Sequence, residues 1–479
     1  MSEFTPPLPK TLDRVASLPQ LVRLFLHSGL AIFLRGSYDF IGVSRNKVPH
    51  LPRRGQPFVF MVREPRLTRE VLVERASDFP KSILMSSMLL ELTGDSIFVS
   101  NGEVWARQRR IIDQAFENAR VRDVFELMLS ACDDVVARFD DKIKANAAGV
   151  EVFDMDIEMT HFAGDIIFRT IFSQPMSAPS AKRIFSAFDI FQAISFAHGY
   201  LALVGLPTRI FPSFWKARRA AKVIRAELKT LLDARLDAIA QGQPTPQTDI
   251  LATLISAPDP VTETHFDAGE LLDQVAMLFL AGHETSAAAL GWALYLIANR
   301  PDVQTRMRDE ALAAIGDRAP QFGDLRKMPF IRDVFRETLR LYPPVAFFAR
   351  DAAKAETLGD QAICPHAPTI VPTWLIHRHT QFWEDANQFN PDRFADDATR
   401  DAQRNAYLPF SMGPRVCVGA AFALQEAVMV LSLLVRRFEF LPMEDHRPDP
   451  ISRLTVRSSN GIRLKVRRIE ASAPTTTPH

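Results

Sequence analysis

Cysteine is almost missing from this chain. Three, Cys132, Cys364 and Cys417, occur in 479 residues with no paired spacing, which excludes a disulfide framework and a zinc ribbon and suits a reducing cytoplasm. Neither sign of charge is in excess. With 57 basic and 56 acidic side chains the formal net charge is +1, so nothing argues globally for nucleic acid as a partner. No apolar run reaches the roughly 20 residues of a spanning helix. The nearest, residues 21–34, contains Arg23 and His27 and reads as an amphipathic helix packed on the protein body, with weak peripheral membrane contact as the alternative and no transmembrane anchor. Polar, Pro-bearing chain precedes it and no small-residue cleavage site follows, against a secretory signal. Tyrosine is scarce too, 5 against 35 Phe, and aromatic bulk without a polar tip suits an apolar cavity as well as a core.

What the chain does hold is a set of polar signals in apolar surroundings. In Phe410-Ser411-Met412-Gly413-Pro414-Arg415-Val416-Cys417-Val418-Gly419 a lone cysteine follows an arginine and sits between glycines. The apolar run from Ala420 to Leu434 predicts a helix whose first turn aims free N–H groups at the sulfur, the setting that stabilises a thiolate. Gly413 permits a left-handed turn and Gly419 a close approach to a flat ligand, while Arg415 can reach a carboxylate at that ligand's edge. Most free cysteines are small buried hydrophobes, but neighbours at these offsets make Cys417 a metal ligand.

Asp267 to Asn299 contains no proline and predicts a helix roughly 50 Å long. In its middle stands a polar patch, Ala281-Gly282-His283-Glu284-Thr285-Ser286. Gly282 and a Thr285 hydroxyl bonded one turn back would let the helix bulge and hold water, and an acid beside an alcohol relays protons. His283 reads as a satisfied helix histidine. Trp105 and Arg109 share one helical face, placing an indole N–H beside a guanidinium, suited to a carboxylate. Glu337 and Arg340 pair on a helix that ends at Pro343-Pro344.

Around these, strands are expected at 58–62, 345–350 and 369–376 and a helix at 65–76. Lys81 to Leu92 reads as a flexible loop over a pocket, and 121–240 as mainly helical, with Phe185, Phe188, Phe191 and Phe196 in near-helical spacing. His377 and His379 fall in a solvated loop. No repeat or second core is visible, giving an extension (1–50), one domain (51–470) and a flexible tail (471–479).

Phe410, Gly413, Arg415, Cys417 and Gly419 resemble the haem-binding loop of the cytochrome P450 superfamily, Phe-x-x-Gly-x-Arg-x-Cys-x-Gly, at every defined position. Ala281 to Thr285 resembles its oxygen-activation motif, and Trp105 with Arg109 its Trp-x-x-x-Arg helix. Glu337, Arg340 and Arg393 resemble its Glu-Arg-Arg network, with Asp392 where Glu is usual. The resemblance implies a mainly α fold with a minor β-sheet region, of the bacterial soluble type, and a monooxygenase using haem b and O2. It assigns Cys417 to the iron, Trp105, Arg109 and Arg350 to the propionates, and Phe410, Gly413, Arg415 and Gly419 to the rest of the cofactor site. Thr285 and Glu284 would be catalytic, and Glu337, Arg340 and Arg393 would brace the loop. Phe191, Ala281, Val345, Phe347 and Phe348 would face a lipophilic substrate such as a fatty acid or terpenoid. Electrons would come from a separate ferredoxin and its NADH- or NADPH-dependent reductase, docking on Arg107, Arg110, Arg415, Arg436 and Arg437. A peroxide-using haem-thiolate enzyme and a haem sensor without turnover remain open alternatives.

Overall fold

A computed structural model of the chain describes residues 4–9, 38–47, 58–117, 122–203, 205–395 and 405–469. The amphipathic run at 21–34 and the tail at 471–479 lie outside the described residues. Its helices are α1 (Pro65–Arg69), α2 (Ile83–Thr93), α3 (Gly102–Ala115), α4 (Phe125–Ala145), α5 (Met155–Phe172), α6 (Ala178–Leu203) and α7 (Pro212–Ala240). They continue with α8 (Ile250–Ser256), α9 (Ala268–Ala298), α10 (Pro301–Ile315), α11 (Pro329–Leu341), α12 (Thr373–Ile376) and α13 (Ala420–Arg437). One sheet joins β1 (Val43–Lys47), β2 (Phe58–Val62), β7 (Pro368–Val371) and β4 (Phe348–Asp351) in that order; a second joins β3 (Val150–Asp154), β11 (Arg463–Arg468) and β8 (Phe438–Pro442). Two hairpins, β5 (Glu356–Leu358) with β6 (Gln361–Ile363) and β9 (Pro450–Ser452) with β10 (Val456–Ser458), complete the β region.

The molecule is laid out around α9. Asp267 caps it in a reciprocal box with Glu270, and Asn299 closes its C-terminus, so its 31 residues span about 47 Å. It remains α-helical throughout, which corrects the expected bulge: Thr285 Oγ1 donates to Ala281 O at 2.6 Å without opening a turn. Gly282 has another reason. A Cβ there would lie 2.8 Å from the Ile167 side chain, so glycine lets α5 close against α9, the most extensive helix contact among the described elements. The large core runs through α4, α5, α9, α11 and α13, and a smaller one lies behind the four-stranded sheet, around Phe60, Phe79 and Trp383.

Several expectations are corrected. Lys81 to Leu92 is no flexible loop, because Ser82 caps α2 by accepting from Leu84 N–H, and a serine at that position is a helix start signal. The helix begun at Pro65 widens into a π turn at Glu70–Glu74, with Arg75 N–H donating to Glu70 O five residues back. Of the two strands near the site, one begins only at Phe348, and the other ends at Val371 before α12 takes over. The sheet of β3, β11 and β8 is an addition to the expected strands; Arg463-Leu464-Lys465-Val466 in β11 and Phe438-Glu439-Phe440 in β8 alternate buried and more exposed side chains, the sequence signal that marks them.

Gly94 ends α2 at φ 54° and ψ −154°, backbone open essentially to glycine alone. A Cβ there would lie 2.0 Å from Asp273 Oδ1, and Asp273 already binds Arg225 at 2.7 Å and Asp95 N–H at 3.0 Å. Gly94→Ala should therefore lower stability by about 2 kcal/mol or more. Chemical denaturation checks this, and an unchanged midpoint would refute it.

Candidate active site

The loop that carries Cys417 is folded by its own backbone. Ser411 (φ 63°) and Gly413 (φ 72°) take left-handed conformations. A Cβ on Gly413 would strike Leu72 O at 2.3 Å, so only glycine lets the loop lie on the π turn. A 3-10 turn follows at Gly413–Arg415, and Cys417 N–H donates to Phe410 O at 2.9 Å. Gly419 is the N-cap residue of α13, as the sequence predicts. Burial pushes the Cys417 thiol up, while the Gly419 N–H and the Arg109 charge pull it back. Protein surrounds Cys417 on nearly all sides, yet the residue keeps accessible surface; it faces an internal space.

The opposite wall belongs to α9. Between Gln274 and Ala298 the helix is buried except at Ala281, Gly282 and Thr285, three positions on one face. The walls are tied together behind this space, where Ser286 Oγ lies 2.7 Å from Glu426 Oε2 on α13.

Cations gather at one edge. Arg350 is buried, and among the described residues its guanidinium donates only to its own neighbour's carbonyl, Ala349 O; burial lowers it to about 10. Arg415 stacks on Trp105 at 4.1 Å and donates to Ser100 O and Asn101 Oδ1, and burial with the Arg350 charge lowers it also to about 10. Arg109 donates to Val416 O at 2.6 Å and pairs with the more exposed Asp113. Lys81, which the sequence reading passed over, donates to Ile97 O and Phe98 O. It is held well below the ordinary lysine range by burial and then by Arg415, Arg350 and Arg109. Among the described residues no carboxylate forms an ion pair with Lys81, Arg350 or Arg415. A thiolate donor and a cationic rim that includes Trp105 fit haem b, whose two propionates supply the missing negative charge.

Glu337, Arg340 and Arg393 assemble as expected and are buried. Arg340 Nε and Nη2 donate to Glu337 at 2.7 and 2.8 Å, and Arg393 Nε at 3.0 Å. Asp392 points outward to Arg306.

Other expectations are corrected. The Glu284 carboxylate turns away from the Thr285 hydroxyl: it receives Thr455 Oγ1 at 2.6 Å and Arg457 Nε and Nη2 at 3.1 and 2.7 Å. Burial alone would lower Arg457, but Glu284 and Asp156 more than offset it and its pKa is raised. His283 is not satisfied either. Both ring nitrogens lack partners, the ring is packed among Phe185, Phe188 and Phe279, and burial lowers it to about 3. The basic docking patch dissolves, since Arg107 pairs with Glu270, Arg110 binds Asp259 through two nitrogens, Arg415 lies in the cationic rim and Arg436 donates to Gly316 O. Arg437 alone keeps a loose, exposed pairing, 3.8 Å from Asp140. Of the expected substrate residues, Ala281, Val345 and Phe348 are partly accessible, whereas Phe191 and Phe347 are buried. His377 and His379 are buried, not solvated.

Three comparisons bear on this arrangement. The family model described as Cytochrome P450 matches residues 47–466. A cytokinin hydroxylase of Arabidopsis thaliana is 31% identical over 415 residues, covering 85% of this chain and 78% of that protein. Cytochrome P450 CYP72A616 of Paris polyphylla is 29% identical over 426 residues, covering 85% and 79%. A 7-deoxyloganic acid hydroxylase of Catharanthus roseus is 28% identical over 422 residues, covering 85% and 80%. The crystal structure of the cytochrome P450DA heme domain superposes with a TM-score of 0.77 at 21% identity, covering 95% of this chain and 94% of that one.

Burial raises the Glu426 carboxyl from 4.5 to about 8, against the opposing Ser286 hydrogen bond. Between those values the native chain holds a proton that the unfolded chain has released, so this group makes stability fall as pH rises. Glu426→Gln should remove that slope. Denaturation at pH 5 and pH 8 checks it: the variant must gain on the parent protein at the higher pH, and equal slopes would sink the assignment.

Proposed function

The chain belongs to the cytochrome P450 family, and from that premise we propose how its residues serve a haem-dependent monooxygenase. Bound haem b supplies the activation of O2 and the insertion of one oxygen atom into the substrate. The observation that carries the residue assignments is the pairing of a cysteine at a helix N-terminus with a rim of Lys81, Arg109, Arg350 and Arg415, in which, among the described residues, Arg109 alone has an acidic partner. Cys417 holds the iron, and the Gly419 N–H moderates the charge on its sulfur. The cationic rim with Trp105 fixes the propionates and so sets the rotation of the ring. Thr285, held by its bond to Ala281 O, is the hydroxyl that handles protons on the other side of the space. Glu284 keeps Arg457 in place.

The substrate is a lipophilic molecule, of the fatty acid or terpenoid class, hydroxylated at carbon. Ala281 and Val345 support this, being apolar groups with accessible surface, as do the hydroxylase names of the relatives; Phe348 packs instead on the smaller core behind the sheet. Electrons are assigned to a separate ferredoxin and its NADH- or NADPH-dependent reductase; among the described residues no doubly wound parallel sheet is present to bind flavin or dinucleotide. A cytoplasmic setting agrees with three unpaired cysteines. Among the described residues no helix is long and apolar enough to cross a membrane.

The visible spectrum of the reduced, carbon monoxide-bound protein tests the ligand. The parent protein should show the thiolate-ligated form and Cys417→His should lose it; an unchanged spectrum would overturn the assignment. Thr285→Ala should keep that spectrum while the yield of product per electron consumed falls roughly tenfold or more. An unaltered yield would remove Thr285 from the proton path.

A further inference from the structure

His377 is wired into the site more tightly than burial requires. Arg340, already bound to Glu337, donates Nη1 to His377 O at 2.8 Å. The ring of His377 answers at both edges: Nδ1 lies 3.2 Å from Arg340 O, and Leu408 N lies 2.7 Å from Nε2. A backbone N–H can only donate, so Nε2 carries the lone pair and Nδ1 carries the proton that goes to Arg340 O. Burial, and then the Arg340 charge, lower the ring to about 3, which keeps it neutral in this tautomer. Tyr407 stacks on it at 5.5 Å and 20° and donates its hydroxyl to Arg336 O on α11.

The connection continues into the ligand loop. Ser411 N–H returns to Leu408 O at 3.2 Å, and Cys417 N–H donates to Phe410 O at 2.9 Å. Hydrogen bonds and two short stretches of backbone therefore lead from Glu337 through Arg340, His377 and Leu408 to Cys417.

We propose that His377 is a positioning residue for Cys417: its Nε2 lone pair pins the backbone at Leu408 and so transmits the fixed geometry of Glu337 and Arg340 to the iron-ligating loop. This rests on the reading of Cys417 as the ligand. Histidine meets a narrow requirement here. The position calls for a neutral acceptor on one edge, a donor on the other and a flat ring against Tyr407. Lysine and arginine offer no acceptor, and a carboxylate offers no donor when ionised. Glutamine supplies the polar pair without the ring, and phenylalanine the ring without the polar pair.

Those two substitutions, made in the full-length holoenzyme, separate the bonds from the packing. The readouts are the fraction of the reduced carbon monoxide adduct in the thiolate-ligated form and the midpoint potential of the iron. His377→Phe leaves the Leu408 N–H without a partner. It should lower the ratio of thiolate to thiol ligation roughly tenfold or more and shift the potential, while His377→Gln stays near the parent protein. Nitrogen NMR of the labelled parent protein should show His377 protonated at Nδ1 and bare at Nε2. Parent-like ligation and potential in His377→Phe, or a proton on Nε2, would overturn the proposal, as would a His377→Gln variant no better than His377→Ala. If His377→Phe does not fold, the glutamine variant and the tautomer decide. Failure of the Cys417 reading itself is distinguishable, because the parent protein would then lack the thiolate-ligated form.

Discussion

A cation taken out of water must be paid for by a counter-charge. Lys81, Arg109, Arg350 and Arg415 lie close enough to depress the Lys81 pKa together, and the chain provides them with only Asp113, on Arg109. Left so, desolvation and mutual repulsion would cost several kcal/mol. The arrangement makes sense as one half of an interaction whose other half is two propionates. It follows that folding of this edge and binding of the cofactor are linked, since a ligand that binds only the native state stabilises it by mass action. The segments that carry the four cations are already joined to one another, the start of α2 to β4 through Ile83 N–H on Asp351 and α3 to the ligand loop through Arg109 on Val416 O, and the ligand adds the negative charge that these contacts lack.

Several buried charges elsewhere are paired within the chain, although Arg378 is met only by the faces of Trp374 and Tyr342 among the described residues. Glu337 answers two arginines, Asp249 answers Arg235, Glu284 and Asp156 answer Arg457, and Asp259 answers Arg110. Removing one partner of a fully buried pair such as Glu337 with Arg340 costs about 3–5 kcal/mol, and the pairs Glu337 with Arg393, Glu284 with Arg457 and Asp259 with Arg110 each fix a contact between elements distant in sequence. Arg107 and Arg110 tie α3 to the chain entering α9; Arg457 ties the last hairpin to the middle of α9. Against this background the cationic rim stands out as a place where pairing is deferred to something outside the chain.

How much of this the sequence discloses depends on the range of the interaction. Local patterns survive well. The limits of α9 follow from Asp267, Glu270 and Asn299, and β2 from a five-residue apolar run, because capping and burial of short segments are settled by neighbours. The cysteine loop is equally legible, as Gly413 and Gly419 are demanded by backbone geometry at fixed offsets from Cys417. Side-chain partners are another matter. Nothing beside Arg107 or Arg110 in sequence announces Glu270 or Asp259, so a pair of paired cations reads as a free basic patch. Nothing beside Lys81 announces three arginines, so a buried lysine reads as part of a mobile loop. His377 looked solvated because polar residues follow it, while the groups that bury it, Arg340, Leu408 and Tyr407, lie 30 or more residues away.

The polar patch of α9 shows the same limit from within a single helix. Successive residues point about 100° apart, so Glu284, Thr285 and Ser286 cannot share one environment even though they share one motif. Thr285 opens on the internal space, Glu284 turns to Arg457 and Ser286 to Glu426. The helix thereby does three jobs at one level. It turns the Thr285 hydroxyl to its accessible face, anchors the last hairpin through an ion pair, and holds α13, and with it the cysteine loop, by the Ser286–Glu426 hydrogen bond. Adjacency in sequence brought these residues into view as one functional unit; helical geometry makes them a reactive face with two fixings, and the fixings determine where the hydroxyl stands relative to Cys417.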